Sequence, residues 1–385
     1  MSGQRQAWGW AAALRSGSTT PWQAWAAQAD AQGGGEAEPF AGRLPGAQQL
    51  ALLRRLNVHA AAAGRDVPTA TAERILAAGV SGRGRSDLPI AGVDDERFGP
   101  RPVDPDALPD DELLRVASAL IADDVAATAS TPAPERSLID RARSVRRPWV
   151  RSFVIVGMQW RADAVRAELV AHGHRPGGRR PTAYLLADDL GAVLAQAWTA
   201  RSFDQGGVTW QHFLRSFAGA GHLPPRADLA RMARSAAHKY GAENVRIVLD
   251  EAQLADELGV RRIAGPPHLG ANAVDLARRV GEPLGLLVAT DDRPGLLRAT
   301  LGARLAGAGG PLPTVPARWE TWLSTQAERT RHDIAAAGYP VLGDLDQLLP
   351  RPVGADPVFP VDAEVLALAL GLLLDPVTAP VEVEA

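Results

Sequence analysis

Ser152-Phe-Val-Ile-Val-Gly-Met-Gln-Trp-Arg161 decides the fold. Phe153–Val156 is a short apolar, β-branched run, the pattern of a buried strand. Gly157 breaks it. Ala162, Val165 and Leu169 then recur on one face, which predicts a helix over Ala162–His172. Strand, sharp turn and helix is where α/β proteins place phosphate-binding chemistry, because the helix N-terminus offers free N–H groups. The turn here, Gly157-Met-Gln-Trp-Arg161, has one glycine, no lysine and no Ser or Thr.

Downstream, the pattern alternates. Thr182–Leu186 and Asn244–Leu249 read as strands, and Leu284–Val288 as a further one. Helical periodicity falls on Leu190–Thr199, Trp210–Phe217, Leu229–Tyr240, Val274–Val280, Trp319–Ala337 and Asp362–Leu374, with Gly338 placed as a C-terminal cap. Gly173–Arg180 reads as a loop. Strands separated by helices argue for parallel βαβ units, with Phe153–Val156 and Thr182–Leu186 as buried neighbours.

Upstream, the chain is helical in pattern. Ala11–Arg15, Trp22–Ala29, Ala47–Asn57, Thr69–Ala78 and Pro109–Asp124 are the expected helices. Gln32–Glu38 and the proline-rich stretch Asp87–Leu108 read as irregular. Gly82-Arg-Gly-Arg85 reads as a solvated loop that an anion could also use. Trp8, Trp10, Trp22 and Trp25 are expected to anchor a small helical core, with an aromatic ligand platform as the sharper reading. Ala126–Glu135 is rich in small residues and proline and marks a linker. The expected organisation is a helical N-terminal domain over 1–125, a linker over 126–148 and an α/β domain over 149–385.

The chain has 385 residues, 46% hydrophobic and 22% charged, enough for two domains with a sizeable core. Net charge is −3, so no global field draws it to nucleic acid or an anionic membrane. There is no cysteine, which excludes disulfides and thiolate chemistry and fits a cytoplasmic setting. No signal-peptide pattern opens the chain, and the longest apolar run, Val365–Leu374, is too short to span a bilayer. Lys239 is the only lysine. In so arginine-rich a chain any single Arg carries less meaning than usual.

Several segments of the second half together resemble actinobacterial P-loop sulfotransferase-like proteins. Phe153–Gly157 with Val165–Gly177 resembles that family's first strand, loop and helix. Ala187–Trp198 is similar to the segment after its central strand, Trp210–Leu214 to its following helix, Tyr240–Val248 to its next strand and Gly338–Pro350 to its C-terminal tail. The likeness covers about 149–350 and lies in order and spacing. It implies a P-loop sulfotransferase-like version of the α/β fold. It also implies a site for phosphoadenosine phosphosulfate, held by a loop containing Lys, Gly and Thr. Here that loop is Met158-Gln-Trp-Arg-Ala162, and Arg161 is its only cation. Where the family places an Arg and a Ser for the 3′-phosphate, this chain has Asp188-Asp189. Two carboxylates repel a phosphate by about 1 kcal/mol or more per close pair.

The residues expected at a donor-like site are therefore Gly157, Trp160, Arg161, Asp188 and Arg201, with no catalytic residue assigned and no cofactor or metal bound. Arg161 and Arg201 are expected to face one crevice, and Trp160 to crowd the phosphate position. Asp188 and Asp189 also read as a helix cap. His172 and His174 form an H-x-H pair with nothing at ligand spacing to complete it. His212 reads as a half-buried histidine, and Asp344 and Asp346 as turn or cap residues. Arg141, Arg143, Arg146 and Arg147 before Trp149 read as linker, not as a nucleic-acid patch. The first expectation for function is a non-catalytic binding or accessory protein with a degenerate donor loop. A glycan or protein partner would be reached through the Trp-rich N-terminus. The second is an active transferase that holds an anionic donor with Arg161 and Arg201. The third is an interaction protein that uses the tryptophans alone.

Overall fold

The structure, a computed structural model, describes residues 2–32, 44–79, 87–93, 100–129, 152–178, 180–263, 268–351 and 358–375. Among these, helices α1 (Ser2–Arg15), α2 (Trp22–Gln32), α3 (Ala47–Ala62), α4 (Thr69–Ala77) and α5 (Asp110–Ala129) come first. Then follow β1 (Ser152–Val156), α6 (Gln159–Ala171), β2 (Arg175–Pro176), β3 (Thr182–Leu186), α7 (Leu190–Gln205), α8 (Trp210–Ala220) and α9 (Leu229–Tyr240). The chain continues through β4 (Val245–Val248), α10 (Glu251–Leu258), α11 (Ala271–Leu287), α12 (Glu320–Ala337), β5 (Val341–Leu342) and α13 (Asp362–Leu374). A helical stretch over 293–306, π-helical at Leu297–Gly302, lies between α11 and α12.

The five strands form one parallel sheet in the order β2-β1-β3-β4-β5. β1 and β3 pair in register, Phe153 opposite Thr182 and Val156 opposite Leu185. Both faces are buried, as a parallel sheet requires. On one face Phe153, Ile155, Tyr184 and Leu186 pack with Val165 and Leu169 of α6 and Leu254 and Leu258 of α10. On the other, Ala183, Leu185, Val245 and Ile247 pack with Leu229 and Ala233 of α9 and Ile334 of α12. A fully buried side chain of this size is worth about 1.5–3 kcal/mol. Gly338 ends α12 in the left-handed region, φ 66°, as its position after the periodic run predicts.

The chain divides into two compact units. One holds Pro132–Val274 and Leu305–Phe359, and contains the sheet. The other holds Met1–Thr131, Asp275–Arg304 and Pro360–Ala385, so the N-terminal helices share a unit with two segments that sequence reasoning grouped in 149–385. Its core is helical, and α13 packs against α5 and α3. Trp10 and Trp22 are buried there with ring centroids 5.3 Å apart. The indole N–H groups of Trp10, Trp22 and Trp25 donate to the carbonyls of Thr20, Ala91 and Gln6. Those are the contacts of core anchors. Arg279 joins Asp275 and Asp362 at 2.7 Å and Asp111 at 2.5 Å, tying α11, α13 and α5 together.

Three readings are corrected. Leu284–Val288 is not a strand, because α11 runs through Pro283 to Leu287. Val274, Ala277, Val280 and Leu284 are all buried at helical spacing, and a short apolar run cannot be assigned by periodicity alone. Ala126–Ala129 are the last turn of α5, not linker. The two-residue strands β2 and β5 and the helix α10 were missed, although Asp250 caps α10 and Gly259 ends it. The rest of the linker, most of Gln32–Glu38, Gly82–Arg85, Arg141, Arg143, Arg146, Arg147 and Trp149 lie outside the described residues.

Gly157 stands at the end of β1 with φ 155°, and a Cβ there would lie 3.2 Å from Leu186 Cβ and 3.3 Å from its carbonyl oxygen. Gly219, near the end of α8, has open space around it. Gly157→Ala is expected to cost about 1–3 kcal/mol. Gly219→Ala is expected to gain up to about 1 kcal/mol. Urea denaturation of both variants checks this, and equal midpoints would count against the strain at Gly157.

Candidate functional site

In this strand order the chain turns one way from β1 to β2 and the other way from β1 to β3. The crevice beyond the C-terminal ends of β1 and β3 is therefore the topological switch point, where doubly wound sheets bind ligands. The β1–α6 turn brings Met158 and Arg161 there, and the β3–α7 turn brings Ala187 and Asp188. Together with Arg226 and Leu348 they line a cavity enclosing ≈ 20 Å³. That is room for about one water. A larger and shallower groove of ≈ 320 Å³ lies near the N-terminal end of β5, between α9 and α12, lined by Ala230, Arg234, Asp333 and Tyr339.

Arg161 sits in the first turn of α6, and its side chain is 12% exposed. Nε donates to Glu251 Oε1 at 2.7 Å and Nη1 donates to the Ala187 carbonyl at 3.1 Å. Asp188 Oδ2 lies 3.6 Å from Nη1. One guanidinium thus ties together the turns that follow β1, β3 and β4. Glu251 was missed by sequence reasoning. The available signal was an acid one residue past Asp250, at the start of a helix that follows a strand.

Asp188 and Asp189 divide their roles. Asp188 Oδ1 accepts the N–H of Asp189 at 2.9 Å, and Arg351 approaches it at 3.4 Å. Asp189 Oδ1 accepts the Ala192 N–H at 3.0 Å and caps α7. Burial pushes the Asp189 carboxyl above its ordinary value. The Ala192 hydrogen bond opposes that shift, and neighbouring Asp188 adds to it.

Two expected site residues stand elsewhere. Trp160 packs its ring on Phe203 of α7, centroids 5.0 Å apart, and is not part of the cavity wall; Met158 is. Arg201 lies twelve residues beyond Asp189 on α7, about 18 Å along the axis at 1.5 Å per residue. It does not line the cavity with Arg161. Gly157 is where the turn needs it, because a side chain would meet Leu186.

The remaining candidates are structural. His212 is exposed, not half-buried, and its backbone N–H donates to the Thr209 hydroxyl that caps α8. Asp344 caps the turn that holds Asp346, and Asp346 pairs with Arg331 at 2.7 Å. His172 Nδ1 stands 2.9 Å from the Glu168 carbonyl. His174 sits edge-on to Phe153, and burial holds its pKa below the usual histidine value. Among the described residues no three His, Asp or Glu side chains are placed to hold a metal ion, and no helix is long and apolar enough to cross a membrane.

The Asp189 shift has a definite sign. Its folded-state pKa is raised, so the neutral form is favoured on folding. The stabilising effect is complete at low pH and is lost as pH rises through the folded value. Asparagine caps as well as aspartate, and the 3.7 Å contact to a mostly exposed Arg351 is weak. Asp189→Asn is therefore expected to match or exceed wild-type stability at neutral pH, with the difference vanishing near about pH 3. Asp189→Ala should cost about 0.5–2 kcal/mol at both. Denaturation midpoints at the two pH values decide it; an asparagine variant clearly weaker at neutral pH would contradict the sign.

No family model matches this chain, and no curated protein or solved structure matches it either.

Proposed function

We propose that this chain is a sulfotransferase-like protein whose donor crevice is held shut, and that it acts as a non-catalytic binding or accessory component. One observation carries the reading. Arg161, the cation of the β1–α6 turn, is already engaged by Glu251, the Ala187 carbonyl and Asp188. Sulfuryl transfer needs a cation on the oxygens where charge shifts in the transition state. A guanidinium neutralised by two carboxylates supplies little of that. The ≈ 20 Å³ cavity points the same way, since small-molecule pockets run to about 300–1,000 Å³.

The P-loop sulfotransferase-like version of the fold rests on the resemblance, the helical N-terminal domain on the periodicity of residues 1–125, and the cytoplasmic setting on the lack of cysteine. A glycan or protein partner belongs to the proposal by family analogy alone. The competing reading, an active transferase that holds an anionic donor with Arg161 and Arg201, requires those two residues to converge. The placement of Arg201 along α7, outside the cavity wall, weighs against it.

Calorimetry with adenosine 3′,5′-bisphosphate tests the proposal. The expected outcome is no binding heat into the millimolar range. A micromolar dissociation constant abolished by Arg161→Ala would overturn the non-catalytic reading and favour the transferase.

A further inference from the structure

We propose that the switch-point cavity is a masked oxyanion site in which Glu251 is a built-in competitor for Arg161. The inference rests on the reading above: it takes the crevice as shut and identifies what shuts it. The ligand class is a small tetrahedral oxyanion, phosphate or sulfate, free or at the end of a monoester.

A guanidinium has five N–H donors. Nε of Arg161 is taken by Glu251 and one donor of Nη1 by the Ala187 carbonyl. The two donors on Nη2 have no acceptor among the described residues, and the side chain lines the cavity. Arg226 lines the same cavity and donates from Nη1 to the neutral Gln159 Oε1 at 2.8 Å, and no ion pair to it is formed among the described residues. Two guanidinium groups at one cavity suit a phosphate or sulfate, whose oxygens accept from such forks.

Glu251 presents a two-oxygen anionic face of the same kind. Being tethered, it binds at a high effective concentration that a free anion must beat. It stands in the first turn of α10, where the helix dipole also favours its charge. Its side chain is 28% exposed, so it can turn outward without unpacking a core. The cavity admits little more than a water while the pair is closed. An anion reaching Nη2 therefore meets a guanidinium whose charge Glu251 already offsets, and the Arg161–Glu251 pair opposes anion binding.

The test titrates the full chain, wild type and variants, with inorganic phosphate and separately with sulfate, following amide shifts by NMR. Glu251→Gln is expected to bind one or both anions at least about tenfold tighter than wild type, a factor worth 1.4 kcal/mol. Adding Asp188→Asn should strengthen that further. Glu251→Gln combined with Arg161→Gln removes both partners of the closing pair, leaves Asp188 to Arg351 and should lose the gain. Circular dichroism establishes folding, and Glu251→Ala takes the place of the glutamine variant should that one be unstable. A folded Glu251 variant with no gain, or a gain that survives Arg161→Gln, overturns the proposal. Either result leaves the non-catalytic reading intact, because only nucleotide binding by the wild-type chain overturns that.

Discussion

β1 and β3 lie side by side, parallel and buried on both faces, and the rest of the sheet-bearing unit follows from that pairing. A parallel pair cannot be closed by a tight turn. The chain must leave the end of β1, cross over the sheet and return, and the crossover is a helix. Each face must then be covered, so α6 and α10 take one side and α9 and α12 the other. The same geometry collects the C-terminal turns of β1, β3 and β4 at one end. There Arg161 finds Glu251 and Asp188 within reach.

Around Arg161 the charges at that end of the sheet are matched pairwise. Arg161 is matched by two carboxylates, and Asp188 by Arg161 and Arg351. Asp189 is the exception. Its cap of α7 recovers part of what burial costs, and its raised pKa shows that the cap does not recover all of it. Partly buried ion pairs contribute little net stability, since desolvation offsets attraction. Their effect here is to fix three turns in one arrangement.

The central architecture was legible because its signals are local. Thr182–Leu186, Leu229–Tyr240 and Asp362–Leu374 carry clean apolar patterns with caps or breaks at their ends, and the structure starts and stops them at those residues. β2 and β5 were not legible. A two-residue strand carries no period, and its existence depends on a neighbour's hydrogen bonds. α11 was misread in part because proline ordinarily ends a helix. At the site, Arg161 and Asp188 could be chosen from their places after strands. The packing of Trp160 on Phe203 and the separation of Arg201 depend on helix rotation and length, which residue types alone do not specify.

The second unit is assembled from three stretches of chain, and this bears on the order in which it can form. Arg65 hydrogen-bonds Asp375 at 2.6 Å, and α13 packs on α3 and α5. Those partners are 310 residues apart. During synthesis at about 5–20 residues per second, the N-terminal helices wait on the order of tens of seconds for α13. Until it arrives, the faces of α3 and α5 that it covers stay open to water. Contacts of such long sequence separation also slow folding, because loop closure precedes any reward from burial. The sheet-bearing unit, whose strands all lie within 152–342, has most of its own parts in hand earlier. Nascent chains of this protein would thus leave the apolar faces of their first helices uncovered for longer than those of their sheet.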